Sequence, residues 1–117
     1  MSRRKQRQVP VALLTLCTGN ICRSPLAEQM LRLRLENDPR FEFGSAGLHA
    51  VVGAPMDRDA AEQLRIHGGD PEPPRGEQLS EGHVKAADLI LTMTRTQRDE
   101  VLRRHPSATR RTSTLAE

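Results

Sequence analysis

Val11-Ala12-Leu13-Leu14-Thr15-Leu16, then Cys17-Thr18-Gly19-Asn20-Ile21-Cys22-Arg23, then Ser24-Pro25-Leu26, is the stretch from which the remaining sequence is best read. Six nearly continuous apolar residues fit a short strand covered on both faces, as in a parallel sheet. Cys17 to Arg23 reads as a loop. Ser24 and Pro25 read as a helix start, with Ser as the N-cap and Pro in the first helical position, and Leu26, Met30 and Leu33 then recur along one face. Strand, loop and helix in this order build doubly wound sheets, whose ligands sit beyond the carboxyl ends of the strands. The loop with both cysteines occupies that location.

The rest of the chain repeats the alternation. The first helix is expected to stop near Asn37-Asp38-Pro39, and Phe41 to Ala46 reads as a second strand. Gly47 to Met56 is a loop of small residues. Asp57 caps a second helix with Ala60, Ala61 and Leu64 on its apolar side, ended by Gly68 and Gly69. Asp70 to Gly76 carries three prolines and is irregular. Leu79-Ser80 starts a brief helix through Ala86, Asp88 to Met93 is a third strand, and Thr94 or Thr96 caps a helix using Val101 and Leu102 that Pro106 closes. Thr112 to Leu115 is a fourth strand at an edge. The predicted fold class is therefore α/β: a three-layer, doubly wound sheet of about four parallel strands with helices on both faces.

Composition sets the outer limits. The 117 residues suffice for one domain, and 36% hydrophobic with 28% charged residues is a globular balance. Residues 1–8 read as a basic disordered tail and 9–117 as the domain. The tail holds much of the excess of 18 Lys and Arg over 15 Asp and Glu; such terminal runs are usually solvated. Neither nucleic acid nor membrane is an expected partner, because the longest apolar run is too short for a bilayer and Phe41 and Phe43 are the only aromatics. The opening lacks the hydrophobic length and cleavage site of a signal peptide, which favours a cytoplasmic protein. His49, His67, His83 and His105 show no spacing that joins the cysteines in a metal site, so no metal is expected.

The loop has the parts of an anion cradle. Successive backbone N–H groups can turn inward, Gly19 relaxes the dihedral restrictions, and the helix beyond Ser24 contributes the positive end of its dipole. Arg23 offers a planar fork for two phosphate oxygens. The same field stabilises a thiolate at Cys17, so one loop joins a nucleophile to an anion site.

With these residues stated, Val11 to Glu28 closely resembles the signature of low-molecular-weight protein tyrosine phosphatases. Phe43-Gly44-Ser45-Ala46-Gly47, Gly53-Ala54-Pro55-Met56-Asp57 and Asp88-Leu89-Ile90-Leu91-Thr92-Met93 resemble later segments of the same family, so the likeness runs from about residue 9 to 115. The resemblance implies a cysteine-dependent phosphomonoesterase. Cys17 would form a phosphocysteine, and Arg23 would bind the phosphoryl oxygens and stabilise the transition state. Thr18, Gly19, Asn20, Ile21 and Cys22 would form the phosphate-binding loop, with Asn20, Ser24 and Ser45 holding its shape and the Ser24 hydroxyl supporting the thiolate. Cys22 matches a second cysteine of some members that forms a reversible disulfide with the nucleophile. The implied substrate is a phosphorylated protein bearing phosphotyrosine, or a small aryl phosphate; no cofactor is implied.

The chain also departs from the family. The family's general acid, an aspartate before proline well after the fourth strand, has no counterpart in these 117 residues, since Asp38-Pro39 and Asp70-Pro71 come too early. Weak turnover is the expectation. The family's last helix is likewise missing from the stretch, leaving the domain incomplete at its C-terminus and a sheet face that self-association would cover. Pro74 stands where relatives often carry a loop-bonding His, Thr94 where they often carry Asp, and the Leu48 to Val52 rim lacks a large aromatic. Two other readings follow: a non-catalytic phosphate-binding or thiol-redox module using Cys17 and Cys22, and, ranked last for want of further cysteines, an arsenate reductase.

Overall fold

A computed structural model describes residues 10–19, 23–35, 38–71 and 76–115. The expectations for the basic tail, for Asn20, Ile21 and Cys22, and for Pro74 lie outside the described residues. Among the described residues four strands form one sheet: β1 (Val11–Cys17), β2 (Phe41–Gly47), β3 (Leu89–Thr92) and β4 (Thr112–Thr114). Their order is β2-β1-β3-β4 and every pairing is parallel. Between them run α1 (Arg23–Arg34), α2 (Arg58–Ile66), α3 (Glu81–Ala86), α4 (Arg95–Arg104) and a 3-10 helix, Pro106–Arg111. The α/β class and the number of strands agree with the sequence reading.

The chain leaves β1 towards β2 and later returns across it to β3, so the direction of winding reverses beside β1. Right-handed crossovers made in opposite directions put their helices on opposite faces. Thr15 is directed to the α1 side, where its hydroxyl donates to the Ser24 carbonyl. Leu14 and Leu16 lie on the other side, in a buried cluster with Ala46, Ile90, Val84 of α3 and Val101 of α4. A second cluster joins α2, through Ala60, Ala61 and Leu64, to Leu26, Met30 and Leu33 of α1.

Local signals set most boundaries. The Asp57 carboxylate accepts from the Asp59 and Ala60 N–H groups at the head of α2, and Gly68, at φ +90°, lies just past its end where an L side chain would be strained. Ser80 with His83 and Thr94 with Gln97 form capping boxes for α3 and α4. Thr94, one of the two threonines expected to do so, thus caps α4.

Two expectations need correction, and a third, the closing of α4 at Pro106, holds and is extended. The helix α1 begins at Arg23, so Ser24 stands inside the first turn, and its hydroxyl is drawn to Cys17 instead of capping. The strand β1 is buried only from Leu14 to Cys17; Val11 is 36% exposed, and Ala12 and Leu13 are half-buried. There the sheet borders an open groove lined by Ala12, Leu14, Phe43, Gly44, His83 and Ala87. Pro106 does more than close α4, because the turn it begins carries the chain into β4. Both aromatics are engaged away from the carboxyl end of β2: the guanidinium of Arg32 lies 5.5 Å from the Phe43 ring centroid and that of Arg40 lies 5.9 Å from the Phe41 ring centroid.

Candidate active site

Cys17 is the last residue of β1, in register with Gly47 of β2, and is 5% exposed. Its sulfur lies 2.9 Å from the Ser24 hydroxyl, and the Ser24 N–H donates to it at 3.4 Å. A strand end and a helix start are thereby joined through one sulfur. Ser24 is fully buried, and its hydroxyl has a second, longer acceptor in the Ala46 carbonyl at 3.5 Å. When Cys17 is a thiol, its S–H can donate to Ser24 while Ser24 donates to Ala46. When Cys17 is a thiolate, the Ser24 proton turns to the sulfur, which then receives two donors from one residue.

The loop after β1 is held from two sides. On the β2 side, the N–H groups of Leu48, His49 and Val51 donate to the carbonyls of Cys17, Thr18 and Gly19 at 3.0, 2.9 and 3.0 Å. Across a planar trans peptide, the next N–H points opposite to the carbonyl before it. Engaging the Cys17 and Thr18 carbonyls with residues 48 and 49 therefore turns the Thr18 and Gly19 N–H groups to the other side of the loop. The 48–51 segment is braced in turn: Gly76 accepts from Gly53 N–H and donates to the Ala54 carbonyl, both at 2.8 Å, and Arg104 donates to the Leu48 carbonyl at 3.1 Å.

On the β3 side the brace is a side chain. The Gln97 carbonyl oxygen accepts from the Met93 and Thr94 N–H groups at 3.0 and 3.1 Å, and its amide nitrogen donates to the Thr18 hydroxyl at 3.3 Å. Two backbone donors on one atom fix which end of the amide is oxygen. Arg23 is exposed at the head of α1, whose first turn holds no acidic residue. A cation at the positive end of a helix is unfavourable unless an anion joins it.

The structure thus brings together Cys17, Thr18, Gly19, Ser24 and the start of α1 bearing Arg23. Ser45 is half-buried in register with Thr15, two residues before the Gly47 that stands level with Cys17. Asn20, Ile21 and Cys22 lie outside the described residues. Two residues of this neighbourhood went unnoticed in the sequence. Thr15, 1% exposed, donates to the Ser24 carbonyl at 2.7 Å; a lone hydroxyl in an apolar strand was its signal. Gln97 was visible as the last residue of a Thr-x-x-Gln capping box, but its reach to Thr18 was not.

A parallel sheet with a cysteine at its central carboxyl end, backed by a helix N-terminus and an arginine, defines the class of α/β proteins with a thiol beside an anion site. The chain belongs to the low molecular weight phosphotyrosine protein phosphatase family, whose model matches residues 12–117. It is 43% identical over 97 residues to EpsP of Ralstonia nicotianae, named a probable low molecular weight protein-tyrosine-phosphatase, covering 83% of this chain and 65% of that protein. It is 36% identical over 109 residues to a protein-arginine-phosphatase of Geobacillus stearothermophilus, covering 92% of this chain and 70% of that one. The crystal structure of the Erwinia amylovora tyrosine phosphatase AmsI superposes with a TM-score of 0.81 at 36% identity, over 88% of this chain and 66% of that one. The chain thus spans somewhat less than two thirds of the length of EpsP.

Proposed function

We propose that this chain hydrolyses phosphomonoesters through a phosphocysteine on Cys17, with phosphotyrosine on a protein as the substrate class. The observation that carries the reading is the pair of donors, hydroxyl and N–H of Ser24, on a buried sulfur at the head of α1. In the first step the Cys17 thiolate forms a bond to phosphorus and the bond from phosphorus to the ester oxygen breaks; the leaving oxygen takes a proton from solvent water. In the second, water forms a new bond to phosphorus, the sulfur–phosphorus bond breaks, and thiolate and inorganic phosphate are released. The Thr18 and Gly19 N–H groups and the Arg23 guanidinium are the donors assigned to the phosphoryl oxygens, where preorganised donors stabilise developing charge.

Membership of the family favours this reading over a non-catalytic phosphate-binding or redox module. The 43% identity to EpsP, against 36% to the arginine phosphatase, supports phosphotyrosine over phosphoarginine. No helix of the described residues is long and apolar enough to cross a membrane, and a reactive thiol suits the reducing cytoplasm, where we place the protein.

The test is hydrolysis of p-nitrophenyl phosphate under reducing conditions by the 117-residue chain and by its Cys17→Ser variant. A good leaving group needs no proton donor, so the assay reads the nucleophile alone. Activity in the parent and background rates in the variant are expected. Equal rates in the two folded proteins would refute the assignment of Cys17.

A further inference from the structure

We propose that Thr18 contributes a substrate-binding hydroxyl whose proton is oriented by Gln97. The inference rests on the phosphatase reading and extends it to a donor beyond the backbone amides and Arg23. Thr18 directly follows the nucleophile and is exposed, and its carbonyl is taken by His49 N–H. Its side-chain oxygen accepts from the Gln97 amide. A hydroxyl has one proton and two acceptor directions. Gln97 fills one acceptor direction and cannot itself accept, because its carbonyl oxygen is committed to Met93 and Thr94 N–H. The Thr18 proton therefore points away from α4, on the exposed side of the residue next to Cys17, where an oxygen of a bound phosphate group can receive it.

Gln97 suits this role because little about it can move. It is 8% exposed and sits in the first turn of α4, where its side-chain amide accepts two hydrogen bonds and donates one, and its backbone N–H donates to the Thr94 hydroxyl. A capping box alone needs only the carbonyl oxygen, which glutamate supplies equally well. The NH2 group is the part that capping leaves unexplained, and it donates to the Thr18 hydroxyl. Gln97→Glu separates the two functions. The carboxylate still accepts from Met93 and Thr94, but it would now accept from Thr18, turning that proton inward and away from the ligand.

The experiment uses the 117-residue chain with Thr18→Val, Thr18→Ser, Gln97→Glu and the Thr18→Val/Gln97→Glu double variant. Two quantities are read: kcat/KM on p-nitrophenyl phosphate, and the inorganic phosphate concentration that half-protects Cys17 from iodoacetamide. Thr18→Val is expected to lower kcat/KM and weaken phosphate protection by about tenfold or more, the scale of one hydrogen bond to a charged group, with Thr18→Ser within about threefold of the parent. Gln97→Glu also adds a negative charge near an anion, and the double variant removes that ambiguity. A charge acts in either background, whereas reorientation of a hydroxyl needs the hydroxyl. The loss from Gln97→Glu should be at least about threefold larger with Thr18 present than in the Thr18→Val background. A smaller ratio overturns the role of Gln97, and full protection by phosphate in Thr18→Val overturns the whole proposal. If Gln97→Glu fails to fold, the contrast of Thr18→Val with Thr18→Ser decides alone. Failure of the phosphatase reading looks different: the parent would show neither Cys17-dependent hydrolysis nor protection by phosphate.

Discussion

Ser24→Ala is the sharpest perturbation of the sulfur. The Ser24 hydroxyl lies 2.9 Å from Cys17 Sγ, and removing it takes away that contact while the Ser24 N–H, at 3.4 Å, still donates to the sulfur. A net hydrogen bond to a charged group contributes about 1.5–3 kcal/mol and one between neutral groups about 0.5–1.5 kcal/mol, so the hydroxyl favours thiolate over thiol by about 1–1.5 kcal/mol. At 1.36 kcal/mol per factor of ten, the alkylation rate of Cys17 should fall roughly fivefold to tenfold. The assay is the second-order rate of Cys17 alkylation by iodoacetamide at about pH 6, well below the ordinary thiol range near 8.5. Cys17 is buried in parent and variant alike, so their ratio cancels limited access. Urea midpoints confirm that both are folded, with a loss of about 1 kcal/mol expected in the variant. A rate within about twofold of the parent would mean that the hydroxyl does not hold the thiolate, and the reading of the strand-to-helix junction would fail.

Thr15→Val, nearly the same shape without the donor, should cost about 1 kcal/mol in a urea titration and lower Tm by about 4 °C. An unchanged midpoint would show that the 2.7 Å bond to the Ser24 carbonyl contributes nothing. Gly76→Ala should be worse, because an added Cβ would meet the Val51 carbonyl oxygen at 2.1 Å and the backbone must give way. Overpacking of this kind costs about 1–3 kcal/mol, and since Val51 N–H holds the Gly19 carbonyl, kcat/KM on p-nitrophenyl phosphate should fall with it. Full activity and stability in this variant would show that the 51–54 segment is not a fixed wall.

Much of the fold could be read locally because its punctuation is local. Asp57 before Ala60, Ala61 and Leu64, Ser80 before His83, and Thr94 before Gln97 all act within one helical turn. What escaped was decided at long range. Ser24 has the sequence of an N-cap, but a sulfur seven residues earlier competes for its hydroxyl and wins. The bond from Gln97 to Thr18 spans 79 positions and that from Ala12 N–H to Asp88 spans 76. Hydrophobic periodicity records which face of an element is buried, not which polar group lies across from it. The half-exposed start of β1 escaped for the same reason, since an apolar run does not say how far its covering helices extend.

The placement of Cys17 on β1, not on an edge strand, explains why the described part of its loop is held so closely. A loop leaving an edge strand has one neighbouring strand; this one has β2 and β3, and each supplies a different restraint. From the β2 side come backbone donors that engage the Cys17, Thr18 and Gly19 carbonyls and thereby set the direction of the amides. From the β3 side comes one amide that sets a single hydroxyl. Donors fixed before the anion arrives need no reorganisation when charge develops, which is where electrostatic catalysis gains most. The two restraints also fail differently. Disturbing residues 48–51 misdirects the amides that the proposed function assigns to any tetrahedral anion, so inorganic phosphate and esters should suffer together. Apart from its part in the α4 cap, Gln97 directs the Thr18 proton, so loss of its NH2 group should weaken chiefly those ligands that place an oxygen there.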